Sequence, residues 1–348
     1  MSINYQNQKD GYFLELKTKL IRDVLTSKPS APGGRYSRRD DEFIVADFNV
    51  VGTRLAASKT DGSLRFWRLL NNSEPTDQDP IVIFRPHLRA VESLHWKPKS
   101  DSQVATVGND KYIKIWNSIK GIAIKEIDTE EEKNFIIRWS GDSKYILSLT
   151  KSNKLVIVDA ESGKIIEKYE FEHSVFDATW NNNSSFIFVG LGNGSIDVFL
   201  FKDEKINRVT TLFGHTAAIK SLRLGRKAQH LFAGAHDGSI SIWSLDDLTL
   251  ERVIADVDEP VHSIDVTRDG TYIAATYEDG ETTRIYDALS GELFHAIPQA
   301  VLGVKCFPVF RFLPTKTTYI YSTPRGELFI TLKNPEQIRE KIRAPYNS

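Results

Sequence analysis

His87, Thr106 and Asp110 place an imidazole, a hydroxyl and a carboxylate in one short stretch, and His215 and Asp237 repeat part of the set. With an exposed hydroxyl, such a trio supports nucleophilic acyl transfer, the imidazole taking the proton. Buried, the same trio is a chain of hydrogen bonds that locks neighbouring strands, because interior polar groups must find partners. Trp116 follows Asp110 by six residues and Trp243 follows Asp237 by six, and this recurrence favours the structural reading.

Other chemistry-bearing patterns are weaker. Gly190-Leu-Gly-Asn-Gly194 has glycine spacing suited to a phosphate loop, but it opens the strand-like run Ser195-Ile-Asp-Val-Phe199 instead of a helix, so it reads as a hairpin turn. Asp246-Asp247 and Glu130-Glu131-Glu132 fall between strand-like runs and read as solvated loops. The single cysteine, Cys306, permits no internal disulfide, and eight scattered histidines show no metal-ligand spacing. No catalytic residue, cofactor, metal site or small-molecule substrate is expected, and the chain is not expected to be an enzyme.

The 348 residues are 41% hydrophobic and 26% charged, with a formal net charge of -1, so no global basic field draws in nucleic acid. Basic residues cluster locally at Lys17, Lys19 and Arg22, at Arg35, Arg38 and Arg39, and at Lys333, Arg339, Lys341 and Arg343. Any RNA contact is expected to be local and weak, or indirect. Residues 1–10 are polar and no apolar run approaches the roughly 20 residues that cross a bilayer, so no membrane partner is expected.

The elements that position these residues repeat. Turn pairs recur at Asp61-Gly62, Asn109-Asp110, Ser152-Asn153, Asn193-Gly194, Asp237-Gly238, Asp279-Gly280 and Arg325-Gly326, spaced 41 to 48 residues apart with a mean of 44. That period suits a four-stranded propeller blade of about 40 to 45 residues. Each pair precedes a β-branched or aromatic run, such as Lys111-Tyr-Ile-Lys-Ile-Trp116, and follows two more apolar stretches, such as Val91-Glu-Ser-Leu-His-Trp96 and Gln103-Val-Ala-Thr-Val107. A fourth strand follows, as in Ala123-Ile-Lys-Glu-Ile127. The fold class is therefore all-β, a seven-bladed propeller over residues 34–332, with an extension at 1–33 and a tail at 333–348.

On these residues the chain resembles the WD-repeat family. His87, Thr106, Asp110 and Trp116, and His215, Asp237 and Trp243, match its buried structural network. Blades three, four, six and seven depart from the pattern, and the seventh, which lacks both Asp and Trp, is expected to be the least regular. The resemblance implies that loop residues beside the turn aspartate or after the histidine reach one mouth of the propeller: Thr60, Arg89, Asn109, Lys151, Gly192, Thr216, His236 and Glu278. Of these, Arg89, Asn109, Lys151, Thr216, His236 and Glu278 are the candidate partner-binding residues. Arg89 and Lys151 would face acidic groups.

The family implies closure of the last blade by a strand from the other terminus. Residues 14–20 alternate like a strand, yet Phe13, Leu16, Leu20, Ile21 and Val24 also share a helical face. A docked helix over 12–25 is expected, with Gly34-Arg-Tyr-Ser-Arg38 closing the ring. Asn334-Pro335 before Glu-Gln-Ile-Arg-Glu-Lys-Ile342 reads as the start of a short helix.

Phe135-Ile-Ile-Arg-Trp-Ser140, Lys154-Leu-Val-Ile-Val-Asp-Ala-Glu-Ser-Gly163, Trp180-Asn-Asn-Asn183, Gly192-Asn-Gly194 and Asp61-Gly-Ser-Leu64 together resemble the WD-repeat subunits of the THO complex. THO belongs to the larger TREX assembly, which couples transcription to nuclear mRNA export. The resemblance implies a nuclear, non-enzymatic scaffold whose partners are THO/TREX subunits, especially the large helical ones. The alternative in the same architecture is an adaptor of a ubiquitin-ligase or chromatin complex.

Overall fold

The computed structural model describes residues 16–21, 42–70, 74–76, 78–225, 229–278, 282–298, 308–314, 318–323 and 326–333. Seven four-stranded antiparallel sheets account for the strands, and no helix occurs among the described residues. Six sheets run in sequence order, blade two for example from Ser93–Trp96 through Gln103–Val107 and Tyr112–Asn117 to Ile122–Asp128. The first strand of each blade faces a central channel. The all-β, seven-bladed expectation is met.

The alternating strands bury both faces, and seven apolar clusters result, each shared by two adjacent blades. Ala56, Leu64 and Phe66 of blade one meet Val91, Leu94, Trp96 and Trp116 of blade two, and the pattern repeats to the cluster between blades seven and one. At the turns, the tight geometry selects the residue. Gly238 has φ 84° and a Cβ there would lie 2.6 Å from the Val257 carbonyl oxygen, so only glycine fits.

The closing strand differs from the one expected. Leu16–Leu20 is a strand, not part of a helix, and pairs antiparallel with Leu328–Lys333 from Leu16 opposite Lys333 to Leu20 opposite Phe329. Ile21 follows, its N–H donating to the Leu328 carbonyl at 2.8 Å and its side chain entering the cluster between blades seven and one. The physical reason is the sheet edge: without a fourth strand, Leu328–Lys333 would expose a row of unpaired backbone groups, which a docked helix could not satisfy. The propeller thus includes residues 16–21, part of the segment 1–33 expected from the sequence to be an extension. The alternative closing segment at 34–38, the helix expected over 334–342, the Asp279-Gly280 turn and Arg325 lie outside the described residues. Blade seven has the shortest inner strand, the three residues Phe310–Phe312, followed by the four of Tyr319–Ser322.

Closure of the ring makes Ile21 a stability determinant. Ile21→Ala is expected to cost about 2–4 kcal/mol, the usual range for truncating a buried aliphatic side chain, and Leu20→Ala, at a half-exposed position, under about 1 kcal/mol. Urea unfolding of the two variants checks the contrast.

Candidate functional site

The His–Thr–Asp–Trp set of blade two assembles as one buried chain. Trp116 Nε1 donates to Thr106 Oγ1 at 2.8 Å, Thr106 Oγ1 lies 2.8 Å from His87 Nε2, and His87 Nδ1 lies 3.0 Å from Asp110 Oδ2. Thr106 Oγ1 thus bridges the indole and the imidazole, and the imidazole bridges Thr106 and Asp110. Burial alone would raise the Asp110 carboxyl, but hydrogen bonds from His87 and from the N–H groups of Leu88 and Tyr112 outweigh it and hold the group below the ordinary range.

Blade five builds the same device with a different hydroxyl. Ala233 stands where blade two has Thr106, and the hydroxyl comes from its cross-strand neighbour Ser241. Ser241 Oγ lies 2.7 Å from His215 Nε2 and accepts from Trp243 Nε1 at 2.8 Å. His215 Nδ1 meets Ser239 Oγ at 2.8 Å and Asp237 Oδ1 at 3.3 Å. Burial lowers the His215 pKa against the pull of Asp237, which keeps the ring neutral. Ser241 is 0% exposed and the His215 side chain is equally buried, so the hydroxyl and imidazole meet no solvent, while Asp237 lies at the rim of the set. They fix a hairpin.

Other blades fill the position with other chemistry. In blade one the buried Arg65 binds Asp61 at 2.8 Å. In blade six Tyr277 and Tyr286 share a 2.8 Å hydrogen bond, and Tyr286 donates to Asp256 at 2.8 Å.

The structure also assembles a ring of charged and polar groups that the repeat pattern does not announce. The next-to-last residue of each inner strand faces a central channel of about 1380 Å³, contributing Asp47, His95, Arg138, Thr179, Arg223, Asp265 and Arg311, with Asp177 beside them. Asp177 is the hub: Arg138 reaches it at 2.6 Å and Arg223 at 3.0 Å, and it accepts the N–H groups of Ala178 and Leu222. Arg223 leads on to Asp265 at 3.7 Å, which accepts the Phe312 N–H at 2.7 Å, and His95 Nδ1 accepts the Trp139 N–H at 2.9 Å. Apart from the Ala178 N–H bond, which stays within blade four, each of these bonds joins two blades. Burial brings Arg138 down to about 10 and, against the nearby Arg311, pushes Asp47 up to about 6. The available signal is a polar or charged residue at the next-to-last position of every inner strand, as in Ala46-Asp47-Phe48 and Ile264-Asp265-Val266.

The candidate mouth residues divide. His236 Nε2 and Lys220 Nζ both approach Glu278, each at 3.3 Å, and Lys220 lies 5.0 Å from the centre of the Phe176 ring. Glu92, Phe135, Phe176, Lys220, His262 and Glu278 line the channel. Burial takes His262 down to about 4, so it is uncharged near neutrality. Lys151 is exposed but pairs with Glu92 at 3.1 Å. Asn109 is half-buried at φ 60°, its N–H donating to the Asn134 carbonyl at 2.9 Å, so it serves the turn. Thr216 is exposed, with its N–H held by Asp237 at 2.9 Å, and Arg89 is exposed without an ion pair among the described residues.

Of the basic clusters, Lys17 and Lys19 lie on the closing strand and Lys333 ends its neighbour; Arg22, Arg35, Arg38, Arg39, Arg339, Lys341 and Arg343 lie outside the described residues. Among the described residues, no group of three or more His, Cys, Asp and Glu is placed to hold a metal ion. No helix there is long and apolar enough to cross a membrane.

The WD40 family (WD domain, G-beta repeat) matches residues 78–117 and 206–244. Each match begins by the outer strand of one blade and ends at the third strand of the next, spanning the two histidine networks described above. The chain is a seven-bladed β-propeller that carries WD40 repeats. It is similar to the WD repeat-containing protein AAC3 of Dictyostelium discoideum, 28% identical over 64% of this chain and 50% of that protein. It is similar also to THO complex subunit 3 of Arabidopsis thaliana, 26% identical over 72% of this chain and 78% of the other. Protein TEX1 of Saccharomyces cerevisiae is 26% identical over 92% of this chain and 76% of its own length. The chain thus spans half the length of the Dictyostelium protein and about three quarters of the other two. In fold it matches the β-propeller domain of Cps50 (Swd1) from Myceliophteria thermophila, with a TM-score of 0.71 at 16% identity over 90% of this chain and 99% of that domain.

Two consequences of the inner ring are measurable. Asp177→Ala leaves Arg138 and Arg223 without their shared carboxylate and is expected to cost about 3–5 kcal/mol in urea unfolding. Asp47 acts in the opposite sense to Asp110. Its folded pKa, about 6 against an ordinary 3.8, means that the folded protein keeps a proton which the unfolded chain releases. Its contribution to stability therefore falls as pH rises through this window. The melting temperature of Asp47→Asn, measured relative to the parent at each pH, is expected to rise between about pH 4 and pH 6.

Proposed function

We propose that this chain is a non-enzymatic protein-interaction scaffold of a THO-type assembly within TREX, acting in the nucleus where transcription is coupled to mRNA export. The observation that carries the reading is the pair of relatives that align along most of the propeller, THO complex subunit 3 over 72% of this chain and TEX1 over 92%. The Trp180-Asn-Asn-Asn183 and degenerate blade-three sequences point the same way. The geometry supports a scaffold: the acid–base groups that resemble catalytic sets are spent on interior hydrogen bonds, while rigid turns carry exposed side chains.

The partners are large helical subunits of the assembly, and RNA is reached through them or through weak basic contacts. The mouth beside His236, Glu278 and Lys151 is a docking surface in this reading, together with Arg89. Lys151 is held by Glu92, so a partner carboxylate there competes with an internal one. An adaptor role is the second reading. A relative bearing on it, the F-box-like/WD repeat-containing protein TBL1X, aligns over 45% of this chain.

Purification of the tagged protein from nuclear extract after nuclease treatment, followed by mass spectrometry, decides between the two. Stoichiometric recovery of large THO subunits is expected, with reduced recovery by an Arg89→Glu, Lys151→Glu variant. Recovery of ligase or chromatin subunits in their place overturns the assignment, and undiminished recovery by the variant removes the mouth from it.

A further inference from the structure

The buried network of blade two has an outlet at the surface. Asp110, bound by His87, also accepts the backbone N–H of Leu88 at 3.0 Å. His87 lies so close to Gly108 that a Cβ there would meet the His87 Cβ at 2.5 Å. The residue after the histidine is therefore fixed in space with its side chain outside: Leu88 is 84% exposed. Four residues earlier Phe84 ends the outer strand of blade one, 60% exposed, and Arg85 and Arg89 flank the turn, both exposed. Neither arginine makes an ion pair among the described residues.

Blade five shows what the scaffold itself requires at this place. Thr216 occupies the position of Leu88, its N–H held by Asp237 as that of Leu88 is by Asp110. Phe213 stands opposite Ser195 as Phe84 stands opposite Ser63, yet the flanking residues are Gly214 and Ala217. A threonine with uncharged neighbours thus satisfies the turn. Blade two instead orders a leucine in water between two cations that make no ion pair among the described residues, and no contact there covers the leucine.

We propose that the turn formed by residues 84–89 is a docking site for an acidic amphipathic segment of a partner protein, which lays an apolar side chain on Leu88 and sets carboxylates against Arg85 and Arg89. The site rests on the scaffold reading above and names one of its surfaces. The chemistry favours peptide over RNA. Two cations around Leu88 with the single exposed ring of Phe84 do not form the basic groove with successive aromatic platforms that tracks single-stranded RNA, and Lys111 in the same blade is taken up by Asp128. Arginine suits the assigned role, because its planar fork meets a carboxylate with two parallel hydrogen bonds.

The test uses the purified full chain and three fluorescent probes: an amphipathic peptide of leucines and glutamates, its counterpart with lysines, and oligo(U) RNA. The glutamate peptide is expected to bind, more weakly as salt is raised, and about tenfold more weakly to Leu88→Thr and to the Arg85→Glu, Arg89→Glu variant. Leu88→Thr installs blade five's own residue and leaves the N–H bond to Asp110 in place, so an unchanged melting temperature shows that the loss is local. The site is overturned if the glutamate peptide does not bind, if it binds the variants as tightly as the parent, or if binding of the lysine peptide or of oligo(U) is what the variants lose. These probes contain no subunit of any complex, so their failure removes this site alone, while the co-purification experiment judges the assembly.

Discussion

A four-stranded sheet with strands of three to nine residues cannot bury a core by itself. Every blade here depends on its neighbours: the seven apolar clusters each join two adjacent blades. The whole structure therefore rests on an unbroken circle of blade-to-blade contact. One consequence is that the chain must join its own ends, and it does so by hydrogen-bonding Leu16–Leu20 to Leu328–Lys333 and driving Ile21 into the last interface. Because the contacts are circular, a weak blade is held from both sides, which is how blade seven persists with a three-residue inner strand.

Apolar packing fills the space between blades, but it does little to fix their radial register at the axis, where seven strands converge on water. Directional bonds act there. Asp177 of blade four takes Arg138 from blade three and Arg223 from blade five, and Asp265 of blade six takes the backbone of blade seven. The Arg138 and Asp177 side chains are largely shielded from water, and the cost of desolvating such charges offsets much of their attraction, so breaking the pair matters more to stability than its net contribution does. The histidine networks do the corresponding job farther out, within blades two and five, by tying the third strand and its turn to the incoming loop.

Much of this was legible in the sequence because a repeat is a redundant signal. The turn pairs, the alternating runs and the six-residue step from Asp to Trp each recur, so errors at one blade are corrected by the others. The illegible parts are those that occur once or that depend on a neighbour across a strand. Residues 14–20 satisfy a strand period and a helix period alike, and only the presence of an unpaired edge at Leu328–Lys333 decides between them. The blade-five hydroxyl was missed because Ser241 replaces Thr106 from the opposite strand, a change invisible to a position-by-position comparison of blades. The channel ring was missed for another reason: charges inside apolar strands look like exceptions until their common position is seen.

The two histidine blades also show how a structural device becomes available for recognition. Hydrogen bonds to Asp110 and Asp237 at the rim of the two networks hold the backbone N–H of Leu88 and of Thr216; the Leu88 side chain adds nothing to this hold, and the Thr216 hydroxyl adds only a long bond of 3.4 Å to Asp237. A position that is rigid in its backbone and indifferent in its side chain can change its surface chemistry with small effect on stability, since exposed substitutions away from such bonds alter it little. Rigidity also lowers the entropy that a partner must overcome on binding. Blade five keeps a neutral residue there, whereas blade two presents a leucine between arginines. The same interior bonds that argue against catalysis thus supply the fixed loops on which a scaffold's selectivity can be written.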